Sequence, residues 1–529
     1  MPEPRTWQLV AGSAALGVAL ATAAVTAAGP WDSGQRTAER ARAAAAREAG
    51  GAHHAAAPAP PTPYRPAPAP SAPDVLTALR TPGTTGSEGT TGTTGSEGTT
   101  ASGTGPGTGP EARPGADPST GSVGNPSGNP VGNPSGTPAA DSAADPDKAY
   151  AAKLAALLTP LLADPGLGPL RAAAVVDTAT GHRLYGAGAA TPMTPASTIK
   201  IATVAAALSA LGPDHRISTT VTSSPDGRTL TLTGGGDPTL DPARLKALAA
   251  DTARALTARG RTSIRLAYDT SLYTGPVLHP IGPNENLAPV VALMTREGRL
   301  DDSRSGPAPR STDPARDTAT AFAAHLAHAG VTVTGAPAPG RTPGAAPLAT
   351  TRSAPLADLA EHTLTHSDND LAEALARQTA LAHREPASFE GAGRAVRAEL
   401  ARLSLPVTGA RFADGSGLDR RDRVTADLLT ALLTRAADPA RPALRPVLTG
   451  LPVGGFTGTL AGRFADAPAG AGLVRAKTGT LTGVNTLAGT AVTPDGRLLA
   501  FAFLAGNTPS PDAAQPALDR LSAALAAPR

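Results

Sequence analysis

The sequence contains no cysteine, which excludes a disulfide framework, a thiolate metal site and a thiol nucleophile. Aromatic residues make up 3% and charged residues 17%. Lysine is scarce: Lys148, Lys153, Lys200, Lys246 and Lys477 are the five in the chain, so arginine supplies 41 of the 46 positive charges. Against 43 acidic residues the formal net charge is only +3. No cluster interleaves basic with aromatic side chains, so nothing supports nucleic-acid binding. Where arginine is the default cation, as in a GC-rich genome, a position that needs lysine chemistry stands out.

Glycine and proline, by contrast, number 112 of 529 residues, about 21%, against an average near 12%. They are unevenly spread: residues 31–148 hold 37 in 118 positions and residues 149–529 hold 69 in 381. The richer stretch also carries a repeat that starts at Thr84 and again at Thr93, and a Gly-Asn-Pro-X period of four from Gly124 to Gly136. Such units are far shorter than the roughly 20–50 residues of stacking repeats. With too little apolar surface to offset chain entropy, 31–148 is predicted to be a disordered linker.

Residues Trp7 to Ala28 carry no charge. As a helix they would span roughly 33 Å, about one hydrocarbon core. Residues 1–30 are either a cleaved signal, with small residues around Val25-Thr26-Ala27, or a retained membrane anchor. Both send the remainder outside the cytoplasm, secreted or held at the outer face of the membrane. If the segment is retained, a flexible linker of this length reaches roughly 60 Å, which suits a substrate in a surrounding wall.

From 149 to 529 the pattern is that of a folded domain. Helical spacing runs over Tyr150–Leu162, followed by a hairpin of Ala173–Val176 and Leu184-Tyr185. A helix is expected from Ser197 to Leu211, strands at Ile217–Val221 and Thr229–Thr233, a helix over Ala243–Ala258 and a strand over Ser263–Ala267. Helices dominate from about 314 to 449. Strands return at Leu473–Lys477, Val484–Val492 and Leu498–Leu504, before a helix from about Asp512. Strands at both ends around a helical middle predict an α+β fold: one antiparallel sheet flanked by helices, plus a helical lobe. The cleft between sheet and lobe is where a site should form.

Three short stretches carry chemistry. Ser197-Thr198-Ile199-Lys200 is the only Ser-X-X-Lys in the chain, and on a helix positions i and i+3 share a face, so the amine can reach the hydroxyl. The apolar segment after it should be buried, which lowers a lysine pKa and lets the neutral amine act as a base. Arginine could not do this. Ser367-Asp368-Asn369 lies between two helices, where a plain helix cap is the competing reading. Lys477-Thr478-Gly479-Thr480 ends a strand.

In this order the three stretches are much more specific than any one alone. Here the chain resembles the penicillin-recognising serine enzymes, and with Gly234-Gly235-Gly236-Asp237-Pro238, Asp414-Gly415-Ser416-Gly417-Leu418 and Arg475-Ala476 it is similar to penicillin-binding proteins of the low-molecular-mass class C D-alanyl-D-alanine carboxypeptidase/endopeptidase family. That resemblance covers roughly 150–525 and implies an insert between the first two motifs, at about 215–340. It implies a serine-type carboxypeptidase, with possible endopeptidase activity, on peptidoglycan stem peptides ending in D-Ala-D-Ala. No cofactor is implied, and β-lactams are implied as covalent inhibitors. By the same resemblance Ser197 is the nucleophile and Lys200 its base, while Ser367 and Lys477 serve proton delivery. Asn369, Thr478, Gly479 and Thr480 bind substrate, with the N–H groups of Ser197 and Thr480 as an oxyanion hole.

A β-lactamase or esterase on the same fold, and a catalytically idle tethered sensor of penicillin or wall peptides, are the alternatives. His362 and His366 lie four apart but lack the glutamate of a zinc-hydrolase helix, so no metal site is expected. Ser416 misses the nucleophile-elbow pattern and is expected to line the cleft. Gly234–Gly236 has no following Gly-Lys-Ser/Thr, and is expected to form a tight turn between domains.

Overall fold

A computed structural model describes residues 146–527 apart from 343, 344 and 346; the expectations for 1–30 and for the linker up to 145 lie outside the described residues. The chain enters through α1 (Pro146–Leu162) and the hairpin β1 (Leu170–Asp177) and β2 (Arg183–Ala187), and continues into α2 (Lys200–Leu211). There follow β3 (Ser218–Ser223), β4 (Thr229–Thr233), α3 (Pro242–Thr257), β5 (Ser263–Asp269), α4 (Pro314–His328), β6 (Thr332–Val333), β7 (Ala338–Pro339) and β8 (Pro347–Arg352). Helices α5 (Leu356–His366), α6 (Asn369–Ala382), α7 (Phe389–Arg402) and α8 (Ala426–Ala437) precede β9 (Val474–Leu481), β10 (Val484–Val492), β11 (Leu498–Gly506) and α9 (Pro511–Ala526). Three helices begin on an Asp-Pro or Ser-Pro pair: Asp241, Asp313 and Ser510 each accept a backbone N–H of the first turn, and the proline after each occupies a position whose own N–H would go unused.

The central sheet has the order β2-β1-β11-β10-β9, antiparallel throughout. Both of its faces are buried, which is why its strands read as continuous apolar runs. Along β11, Ala500, Ala502 and Leu504 join the core of the helical lobe, while Phe501, Phe503 and Ala505 join the core shared with α1 and α9. Small alanines on that lobe-facing side let α8 approach the sheet closely. From Lys200 to Leu208 every residue of α2 is buried, packed against α5, α6, α7 and α8.

The insert is a second, mixed sheet of order β6-β5-β4-β3-β8 with β7 beside β5, its core closed by α3 and α4. Strands β6, β7 and β8 fall in a region read from sequence as helical, and β8 pairs with β3 as far as Arg352, beyond the expected end near 340. The glycine run is also more than a turn. A Cβ on Gly235 would stand 1.9 Å from the Ser218 carbonyl oxygen, and Gln378 of α6 donates to the Gly235 carbonyl at 2.7 Å. The run is a close crossing where the insert meets the lobe. The irregular connection 270–313 then carries the insert's chain up to the end of α5.

Candidate active site

Ser197 sits in a single 3-10 turn, Ala196–Ile199, that feeds straight into α2. Two glycines abut this turn. A Cβ at Gly479 of β9 would stand 2.6 Å from the Pro195 carbonyl oxygen and 2.2 Å from Thr486 Oγ1, and one at Gly417 (φ 86°) would stand 2.1 Å from the Ala196 carbonyl oxygen. Strand and loop thus grip the turn from two sides, and Thr486 Oγ1 of β10 donates to Pro195 O at 2.7 Å.

Lys200 is fully buried, and its Nζ has three neighbours: Asn369 Oδ1 at 2.7 Å, the Ser416 carbonyl at 2.5 Å and Ser197 Oγ at 3.0 Å. The first two can only accept, so a neutral amine spends both of its N–H bonds there. Its lone pair is left for the Ser197 hydroxyl. Burial lowers the Lys200 pKa from 10.5 to about 8, against the opposing pull of Asp414, Asp368, Glu373 and Asp422.

Ser367 closes α5 in the left-handed conformation (φ 57°), and Asp368 caps α6 by accepting the Leu371 N–H at 2.9 Å. The capping and chemical readings of this motif are therefore compatible: the bend between two helices is what presents Ser367. Lys477, also fully buried, donates to Ser367 Oγ at 2.8 Å and to the Thr478 carbonyl at 2.7 Å. Burial, and next the nearby charge of Lys200, hold its pKa well below the usual lysine range. Asn369 donates its Nδ2 to the Asn286 carbonyl at 2.9 Å, so both ends of its amide are engaged.

Thr478, Gly479 and Thr480 lie on β9, the edge strand of the central sheet. Its first half is covered by the 452–454 segment, where Ala476 N donates to Pro452 O and Gly454 N to Val474 O. Beyond Lys477 the edge is open, with Thr480 exposed and Thr478 Oγ1 donating to Thr459 Oγ1 at 2.8 Å. An open edge offers backbone groups to an extended peptide.

Ser416 does not line the cleft as expected. Its side chain is buried and reaches Asp414 Oδ2 at 3.2 Å, while its carbonyl holds Lys200. Glu373 of α6 accepts the N–H groups of Gly415 and Ser416, both at 3.0 Å, and is paired with Arg377 at 2.9 Å. Asn286, Glu373 and the carboxylate of Asp414 were not singled out from sequence. The one signal for Glu373 is its four-residue step from Asn369, which puts both on one face of α6.

Among the described residues two groups of potential metal ligands converge: His279, Glu373 and Asp414, and Glu297, His362 and Asp368. In the first, all three side chains accept or donate hydrogen bonds within the protein. In the second, Glu297 is paired with Arg299 at 2.7 Å and Asp368 caps α6, so both groups are built as buried polar networks.

The profile of the D-Ala-D-Ala carboxypeptidase 3 (S13) family matches residues 154–301 and 298–525. Carboxypeptidase DacB of Mycolicibacterium smegmatis is 39% identical over 389 residues, covering 70% of this chain and 83% of that protein. A D-alanyl-D-alanine carboxypeptidase of Actinomadura sp. is 30% identical over 444 residues, covering 68% and 82%. In fold, the chain is similar to crystalline penicillin binding protein 4 (dacB) of Haemophilus influenzae, with a TM-score of 0.58 at 22% identity over 70% of this chain and 97% of that one.

Proposed function

The chain belongs to the D-Ala-D-Ala carboxypeptidase 3 (S13) family, and from that premise we propose that Ser197, Lys200, Ser367 and Lys477 together cleave the terminal bond of D-Ala-D-Ala stem peptides. The enzyme is a serine-type carboxypeptidase of peptidoglycan and works outside the cytoplasm. The observation that carries the residue assignment is the set of three Lys200 contacts, which leaves the lone pair of a neutral amine aimed at Ser197.

Ser197 Oγ attacks the carbonyl carbon of the penultimate D-Ala as Lys200 takes its proton. The oxyanion is held by the N–H groups of Ser197 and Thr480, each such donor being worth about 3 kcal/mol. The tetrahedral adduct then breaks its C–N bond, and the proton that Lys200 took passes through Ser367, oriented by Lys477, to the leaving amine, so that Lys200 is neutral again. An ester on Ser197 and free D-Ala result. Water attacks that ester, giving a proton to Lys200, which passes it to the departing Ser197 Oγ; the acid is released, and Ser197 and neutral Lys200 are restored. Substrate extends β9 beyond Lys477, with the Thr478 and Thr480 hydroxyls on its terminal carboxylate and Gly479 permitting close approach. The Asn369 Nδ2, now on Asn286, would exchange that carbonyl for one of the substrate. β-Lactams acylate Ser197 by the same attack.

Residues 7–28 we read as the element that directs export, and as a tether if it is retained; among the described residues no helix is long and apolar enough to cross a membrane. The test is to incubate wild type, Ser197→Ala and Lys200→Arg with a fluorescent penicillin and with diacyl-Lys-D-Ala-D-Ala. Wild type should be labelled covalently and release D-Ala, Ser197→Ala should do neither, and Lys200→Arg should lose about 10²–10⁴-fold in acylation rate. Labelling of Ser197→Ala at the wild-type rate would sink the assignment.

A further inference from the structure

The loop that orients Lys200 is held by three carboxylates: Asp422 takes the N–H groups of Ala413 and Asp414, Glu373 those of Gly415 and Ser416, and Asp414 those that follow. Asp414 Oδ1 accepts the Gly417 N–H at 2.6 Å, and Oδ2 accepts the Asp419 N–H at 2.7 Å and Ser416 Oγ at 3.2 Å. The Gly417 N–H and the Ser416 carbonyl are the two ends of a single peptide group. Because that group is planar and rigid, Asp414 at one end sets the direction in which the other end faces Lys200.

A further partner of Asp414 comes from outside the loop. His279, in the insert's 270–313 connection, brings Nε2 to 2.9 Å from Asp414 Oδ2. The Ile281 N–H donates to its Nδ1 at 3.2 Å. With Nδ1 an acceptor, the proton of the neutral ring belongs on Nε2, facing the carboxylate. The burial pattern around His279 inverts the usual preference. His279 is 4% exposed, while its apolar neighbours Val277, Leu278 and Ile281 are 46%, 48% and 45% exposed. The chain turns a polar ring inward and leaves aliphatic ones in solvent, and Phe389 meets the ring edge-on at 5.3 Å.

We propose that His279 is a positioning residue for acylation: by clamping Asp414 it fixes the Ser416–Gly417 peptide and hence the Lys200 amine, so that the insert supplies part of the general-base apparatus. This rests on the assignment of Ser197 and Lys200 made above. Besides Asp414, the titratable groups around Lys200 are Asp368, Glu373, Asp422 and Lys477, none of which His279 replaces.

The test uses the full chain and follows acylation by a fluorescent penicillin from pH 6 to 10, resolving the limiting rate from the half-saturating concentration. His279→Ala should lower the limiting rate by about 10–100-fold, leave half-saturation within about threefold, and displace the acid limb. His279→Gln, whose amide can donate from nearly the same place, should recover most of that loss. Asp414→Asn probes the bond from its other end and should show the same loss. His279→Ala at the wild-type rate, or a loss that His279→Gln leaves unrestored with the limb unmoved, would overturn the proposal. If His279→Ala does not fold, Asp414→Asn at the wild-type rate overturns it equally. Wild type that takes no label would overturn the Ser197 assignment itself, whereas label on wild type and none on Ser197→Ala keeps that assignment and isolates the role of His279.

Discussion

Lys200 can accept a proton only when neutral, and its pKa near 8 sets when that happens. The acylation rate should therefore rise about tenfold per pH unit below 8 and level off above it. A rate profile whose acid limb lies below pH 6 would count against a lysine base. Ser367 makes a second, conformational point, since its φ of 57° costs a residue with a Cβ roughly 1–2 kcal/mol. Ser367→Ala and Ser367→Gly both lose the hydroxyl that Lys477 contacts. Both should fall in acylation, but chemical denaturation should find the glycine variant more stable by about 1 kcal/mol. Equal stabilities would mean the bend is unstrained. The scarcity of lysine is what made Lys200 and Lys477 legible in the sequence. Glu373, Asp414, Asn286 and His279 had no such contrast, because their residue types are commoner and their roles arise only where separate segments meet.

Among the elements, β9 carries the largest share of the site, and one residue in it has no room to change. Gly479→Ala would drive a methyl into Thr486 Oγ1 and the Pro195 carbonyl. It should cost about 1–3 kcal/mol in a denaturation experiment and more than about tenfold in penicillin acylation, because the displaced partner is the turn that carries Ser197, the proposed nucleophile. Wild-type acylation by this variant would show that the turn does not depend on the strand. The central sheet was legible because both of its faces are buried and its apolar runs are long. Strands β6 and β7, two residues each and placed among prolines and glycines, present no alternation to read. The insert's reach to Arg352 was hidden for a related reason: β8 owes its place to pairing with β3, a distant partner, and not to its own pattern.

Over the molecule as a whole, buried carboxyls set how stability varies with pH. Burial, reinforced by the charge of Asp368, raises Glu297 from 4.5 to about 9, and burial raises Asp370 from 3.8 to about 7. Both stand above their unfolded values, so what they contribute is complete below about pH 4 and is lost as pH rises through 7 and then 9. Lys200 is shifted the other way and returns stability between about 8 and 10.5. Glu297→Gln cannot ionise, so its melting temperature should fall less than that of wild type between pH 7 and 10; a parallel fall would clear Glu297 of the effect. With no cysteine, this balance is not backed by cross-links. The pairing of β1 with β11 has its own consequence, since it joins residues as far apart as Leu170 and Gly506, 336 positions away in the chain. Contacts this distant carry a loop-closure cost and slow folding. A chain threaded outward from its amino terminus delivers Ser197 long before the strand that completes the sheet behind it. Were the chain exported unfolded in that order, the site around Ser197 would stay unassembled during the passage and form only once the last strand had followed.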